Sequence, residues 1–281
     1  MKGFVNLGNT CYLNSGLQLI IRIKNIYNIL NLYRNKDSDL DCIINFIDDY
    51  YKEGSTPLEP IEIKKLVGNK KASFNGYNQE DSEEFINCFI DLLDDKCKEI
   101  TNDPIIISKH LECTINKSIK CKALKCLTIS NTIEKISIMN LSINKDSENL
   151  NDCLIEYLRR EKLEDDSMYF CEKCDKLRVA SKRMEVKKLP ENLLISLKRY
   201  DFRLRKINKE IDMPINWKGY KLKGIVFHSG SFGGGHYVYI GEENGKWYLF
   251  NDSFVSLIKN IDALNQYKNF GYIYHYEKNI N

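Results

Sequence analysis

Cys121-Lys-Ala-Leu-Lys-Cys126 and Cys171-Glu-Lys-Cys174 set four thiols in two close pairs, far apart in the chain. Two such pairs can close one tetrahedral zinc site with four cysteine ligands, and the second has the tight spacing of a zinc knuckle. Closing that site obliges the chain to run out and return to one point. Cys113 is a second candidate for the ligand position given to Cys121. Around the pairs the sequence alternates as strands do, in Thr114–Ile119, Ile133–Ile143 and Val179–Val186. A long strand pair projecting from a core needs a staple at its tip, and zinc would supply one. Leu150–Leu163, between the pairs, reads as an amphipathic helix with Cys153 on its apolar face.

Ten cysteines in 281 residues do not read as a secreted disulfide framework, because the chain is too long for one and the spacing is wrong. With 43% hydrophobic residues the chain can bury a large core, as one large domain or two small ones. Its 42 basic and 39 acidic residues nearly cancel, and no run of like charge suggests a nucleic-acid arm. No apolar run approaches the length of a membrane span, and the first apolar stretch is too interrupted by asparagine for a signal peptide. An intracellular protein, cytoplasmic and/or nuclear, is expected. Neither nucleic acid nor membrane is expected as a partner, and a monomer is anticipated.

Three further stretches carry chemistry. In Gly3-Phe-Val-Asn-Leu-Gly-Asn-Thr-Cys11-Tyr-Leu-Asn-Ser-Gly-Leu-Gln-Leu-Ile20, a Gly/Asn turn precedes an apolar run at helical spacing. The spacing predicts a helix from Cys11 to about residue 33, with Thr10 near its N-cap. A thiol at a helix N-terminus meets the macrodipole and open N–H groups, which favour the thiolate. Further helices are predicted around Leu40–Tyr51 and Ile61–Val67. In Gly76-Tyr-Asn-Gln-Glu-Asp81-Ser-Glu-Glu-Phe85, Asn78 can cap a helix with an acidic first turn and a stripe of Phe85, Phe89, Leu92 and Leu93.

The third stretch runs from Gly224 to Ser253. A strand ends at His228, a glycine-rich loop occupies 229–235, and a strand restarts at His236. A hairpin turn around Glu242-Glu-Asn-Gly245 then leads to Asn251. A four-residue loop would set His236 directly opposite Asn251, whereas a two-residue Asn-Gly loop would make them diagonal neighbours. Both registers leave the two side chains on one face, and the first suits a hydrogen bond better. An Asn amide oxygen can accept the imidazole N–H and free the other ring nitrogen for a thiol. By alternation Asp252 points to the other face. His110 and His275 read as structural.

These stretches resemble, in order, the cysteine, glutamine-aspartate and histidine boxes of the ubiquitin-specific proteases, papain-like deubiquitinases. The resemblance covers almost the whole chain. It implies an α+β papain-like cysteine protease fold in a single catalytic domain, 1–281, with a helical thumb (1–105), zinc-stapled β fingers (106–188) and a β palm (189–281). It implies Cys11 as nucleophile, His236 as base, Asn251 as the orienting residue and Asn6 as oxyanion donor. It implies that Asp81 holds the basic C-terminal tail of ubiquitin, and that Gly235 and Tyr237, flanking His236, meet the substrate. The family carries a CxxC at both finger positions, so the wider Cys121–Cys126 spacing departs from its pattern. Zinc would be structural, with no catalytic metal, and the partners would be ubiquitin or ubiquitinated proteins. A ubiquitin-like modifier, a non-enzymatic ubiquitin-binding module and a general papain-like peptidase are the competing expectations.

Overall fold

A computed structural model describes residues 1–126, 128–231 and 233–279. The N-terminal third is helical: α1 (Cys11–Ile20), α2 (Lys24–Asn31), α3 (Ser38–Tyr51), α4 (Ile61–Lys70) and α5 (Ser82–Thr101). Every residue of α1 is buried, so this helix forms the axis on which the others pack. The single helix expected over 11–33 is broken at Arg22-Ile23, where Ile23 turns extended. The apolar pattern persists through the break because both pieces bury the same stripe, so periodicity alone could not show it. Asp81, not Asn78, caps α5, its carboxylate accepting from the amides of Glu83 and Glu84.

The remainder is mostly sheet. β1 (Cys113–Cys121), β2 (Ile129–Ile136), β3 (Ile138–Ser142), α6 (Leu150–Leu158), β4 (Glu161–Leu163), β5 (Tyr169–Cys171), β6 (Lys176–Arg178) and β7 (Ala180–Lys188) come first. There follow β8 (Asn192–Lys198), β9 (Asn216–Trp217), β10 (Tyr220–Ser231), β11 (Gly234–Glu243), β12 (Lys246–Asn251), β13 (Phe254–Ile258) and β14 (Gly271–Lys278). A large sheet runs β13-β12-β11-β10-β14-β8-β3, with β9 paired on β10. Its strands alternate between two cores. Leu194, Val226, Tyr239, Phe250 and Ile273 face the helices, whereas Leu193, Ile195, Ile225, Phe227 and Ile240 face a second cluster closed by Trp217 and α6. The mixture of helical layer and sheet is the α+β architecture expected.

A four-stranded sheet, β2-β1-β7-β4, projects from this body, and the β5–β6 hairpin lies toward its tip. Two expectations change here. Ile133–Ile143 is not one strand: the chain bends at Ser137, leaving β2 in the projecting sheet and sending β3 into the large one beside β8. The 106–188 segment therefore belongs only partly to the projection. The helix expected over 150–163 stops at Leu158, and residues 161–163 become a strand against β7.

Candidate active site

The hairpin of β11 and β12 decides how the site is built. Glu243 pairs with Lys246 and Tyr239 with Phe250, so the loop is the two-residue Asn244-Gly245 turn. Both turn residues take positive φ, 51° and 79°, as a type I′ turn requires and Asn-Gly supplies. The four-residue loop, and with it the direct opposition of His236 and Asn251, is not adopted. Regular pairing stops at Tyr239, and the two side chains meet diagonally, His236 Nε2 lying 2.6 Å from Asn251 Oδ1.

Cys11 is the first residue of α1 and is 4% exposed. Thr10 occupies the N-cap position without capping, because its hydroxyl accepts the Leu7 amide instead. The first-turn amides beside the thiol are thus left without a side-chain cap, an anion-favouring arrangement. The Cys11 side chain is the largest influence raising the His236 ring pKa to about 9, with Asn251 and the nearby charge of Asp252 adding to it and burial opposing it. Cys11, His236 and Asn251, which come from α1, β11 and β12, come together in one row, with a hydrogen bond between the last two.

Asp252 does not point away. Strand alternation ends at Asn251, and Asp252 takes a φ of 50° in the turn to β13. Its carboxylate accepts from Asn6 Nδ2 at 2.9 Å and from Asn14 Nδ2 at 2.7 Å. Asn6 Oδ1 in turn accepts the amides of Gly8 and Thr10, which shapes the loop before Cys11. The turn is held from below by Gly3, whose absent Cβ would lie 2.4 Å from the carbonyl oxygens of Asp252 and Ser253. The signal for this in the sequence was local: alternation fails wherever a strand turns.

Asp81 carries more than a cap. Its carboxylate also takes the hydroxyls of Tyr237 at 3.1 Å and Tyr272 at 2.9 Å. Burial and the Asp81 charge push both phenols far up, so they stay protonated donors. Tyr237 stacks on His228, centroids 4.4 Å apart, and His228 lies 3.2 Å from the Tyr200 hydroxyl. Burial, with Lys206 and His236 nearby, lowers His228 to about 4, so it is neutral. Gln79, Glu80, Asp81, Glu84, Tyr200, His228 and Tyr237 line a cleft of about 220 Å3 next to His236, with an acidic wall.

The glycine-rich segment is shorter as a loop than expected. β10 and β11 stay paired to Ser231 and Gly234, with Phe232 outside the described residues. Gly235 does not line the cleft. A Cβ there would fall 2.4 Å from Ser229 O and from His228 Nε2, so internal packing requires the glycine. Its amide donates to Gln79 Oε1 at 2.5 Å, tying the loop to the entrance of α5. Gln79, in the stretch that leads into α5, and Tyr272, on β14, carry no chemical signal in their residue types alone. His275 is buried against Asn192 and lowered to about 3 by burial, remote from the row.

The ubiquitin carboxyl-terminal hydrolase family profile matches residues 2–276. The chain belongs to this family. Among curated members it is 28% identical over 301 residues to probable ubiquitin carboxyl-terminal hydrolase 16 of Schizosaccharomyces pombe, covering 94% of this chain and 64% of that one. It is 26% identical to ubiquitin carboxyl-terminal hydrolase 4 of Vanderwaltozyma polyspora, covering 92% of this chain and 39% of that one. It therefore spans less than two thirds of the length of either. Among solved structures, the SAGA DUB module with Ubp8 bound to monoubiquitin contains a chain that superposes with a TM-score of 0.80 at 25% identity, covering 100% of this chain and 69% of that one. The same module bound to ubiquitin aldehyde gives 0.77 at 23%, a likeness of fold.

In this family member the four finger cysteines also meet. The Sγ atoms of Cys121, Cys126, Cys171 and Cys174 lie within 4.8 Å of one another, and Cys126 and Cys171 are 3.5 Å apart. Tetrahedral thiolates about 2.3 Å from zinc would stand roughly 3.8 Å from each other, so the cluster fits that ion. Thr128, 2.9 Å from Cys126, lowers that thiol to about 6, toward the thiolate a metal needs. Cys113 is not in the cluster. It is fully buried in the second core, where burial raises it to about 12.

Proposed function

We propose that this chain is a thiol-dependent deubiquitinase that hydrolyses the bond between the C-terminal glycine of ubiquitin and a lysine amine. The observation that carries the reading is the row Cys11–His236–Asn251, assembled from three separate elements in a chain of this family. The Cys11 thiolate attacks the glycine carbonyl carbon, forming a C–S bond, while the carbonyl oxygen takes the negative charge. Asn6 has one amide hydrogen engaged by Asp252 and a second with no acceptor among the described residues, and with the first-turn amides of α1 it stabilises that oxyanion. Protonated His236 gives its proton to the lysine nitrogen as the C–N bond breaks. Neutral His236 then takes a proton from water, which attacks the acyl-enzyme and releases the thiolate and the carboxylic acid, whose proton passes to solvent to leave the carboxylate.

The acidic cleft at Glu80, Asp81 and Glu84 suits the basic tail of ubiquitin, and Tyr237 and neutral His228 give it apolar walls. Asp81 acts here partly through its charge and partly by fixing Tyr237 and Tyr272. The four finger cysteines hold a structural zinc that shapes the projecting sheet toward the ubiquitin globule. The test is incubation with a ubiquitin C-terminal electrophile, wild type beside Cys11→Ala, read by intact mass. One adduct on wild type alone is expected. No adduct on folded, zinc-replete wild type sinks the reading, and the same electrophile on ubiquitin-like modifiers then asks whether another modifier is the substrate.

A further inference from the structure

The row of candidate catalytic residues has two flanks in the large sheet, and only one is accounted for. On one side lie β10 and β14, with His228 and Tyr272, and the acidic cleft fitted to the ubiquitin tail. On the other lie β12 and β13. A chain that passes through an active site must continue beyond the bond it presents. If the tail enters over β10, the lysine and the protein carrying it leave over β12 and β13.

What stands there is an aromatic side chain. Phe254 is the cross-strand partner of Asn251, so the two side chains share a face, with Cβ atoms about 5 Å apart. Yet Phe254 is 77% exposed, and no ring contact of its own is formed among the described residues. Exposed phenylalanine beside a catalytic row costs solvation and contributes nothing to the core. β13 ends the sheet, so its outer backbone edge has no strand partner among the described residues. Such an edge can accept an extended segment.

Resting on the deubiquitinase reading, we propose that Phe254, with the open edge of β13, is the docking surface for the conjugated protein on the lysine side of the scissile bond. Its occupant is the aliphatic stem of the modified lysine with the extended, apolar-flanked segment around it. Phe254 is therefore a specificity-determining residue for what ubiquitin is attached to, separate from recognition of ubiquitin itself.

The experiment compares wild type, Phe254→Ala and Phe254→Leu on two reagents that share ubiquitin. One is a ubiquitin C-terminal alkyne probe, which has nothing on the lysine side. The other is ubiquitin joined by an isopeptide bond to a peptide with leucine and valine flanking the lysine. Phe254→Ala should lower kcat/KM on the isopeptide about tenfold more than it lowers the rate of probe labelling, through KM, and Phe254→Leu should recover most of that difference. Equal losses on both reagents overturn the proposal, because Phe254 then acts through Asn251. So does no loss on either. Wild type that labels with neither reagent removes the deubiquitinase reading and this one with it. Because Phe254 is exposed, its replacement leaves folding intact, and a melting curve verifies this.

Discussion

His236 is protonated over most of the neutral range, since the Cys11 side chain and Asn251 hold its pKa at about 9. Its raised value means that the charged ring favours the folded state. That contribution is complete below the unfolded value of about 6.5 and is lost as pH rises through about 9. On the proposed mechanism activity follows the same group, because the proton it would give to the leaving amine is gone above that pH. The alkaline limb of kcat/KM for ubiquitin hydrolysis should fall near pH 9, and Asn251→Ala should move it lower by removing one of the bonds that raise the pKa. A limb that stays in place in Asn251→Ala would separate Asn251 from the ring. Asp252 makes a second prediction at this scale. It aims Asn6 and anchors Asn14 without lining the row, so Asp252→Ala should let the Asn6 amide swing. Loss of one oxyanion donor costs about 10²–10³ in kcat elsewhere. A disordered donor should cost about tenfold in kcat, with KM for ubiquitin nearly unchanged. A change confined to KM would instead make Asp252 a substrate contact.

Among the elements, α5 joins stability to recognition through one residue. Asp81 caps the helix and accepts two tyrosine hydroxyls from the palm. Asp81→Ala therefore cannot leave the fold untouched, as a residue merely reaching for substrate would. It should destabilise by about 1 kcal/mol for the cap, and by more as buried tyrosine hydroxyls lose their acceptor. Asp81→Asn keeps a capping oxygen and removes the charge. One oxygen can still serve the cap and the Tyr272 hydroxyl, but the amide nitrogen cannot accept from Tyr237, so its melting temperature should fall between those of Asp81→Ala and wild type, while KM for ubiquitin rises as far as in Asp81→Ala where the charge meets the basic tail. Equal KM for Asn and Asp would reduce Asp81 to a structural role. Elements were legible in the sequence where one period ruled a long stretch: α3, α5, β8 and the last strand. They failed where tertiary packing cuts a continuous pattern, at Arg22-Ile23, Ser137 and Leu158. Cys11, His236 and Asn251 could be picked out because each lies in a short stretch with its own local grammar, and the structure brings them together. Asp252 and the hairpin register were misread because both depend on where a strand stops, which alternation does not encode. Asn-Gly did encode the tight turn, and a preference for direct opposition outweighed it.

At the scale of the molecule, stability is unevenly spread. The helical layer and the large sheet share two dense cores. The projecting sheet joins them only at its root, where Cys113, Ile115 and Met184 pack against the second core. Farther out there is little to bury. β2 is exposed at most positions, and β5–β6 is a two-stranded hairpin, a unit marginal in water without support. With zinc bound as proposed, the cysteine cluster is the tip's main source of order, since zinc supplies roughly 10–16 kcal/mol to small folds at pH 7. Undenatured protein should contain one zinc per chain. Chelation should open 117–135 and 161–182 to limited proteolysis while β3, α6 and the segments before β1 and after β7 stay protected, because their cores do not involve the metal. Cys174→Ser should do the same without chelator. The ubiquitin electrophile should then label more slowly, since the thiol and histidine survive but the surface that positions ubiquitin does not. A zinc-free protein with an unchanged digestion pattern would show that the four thiols are only neighbours.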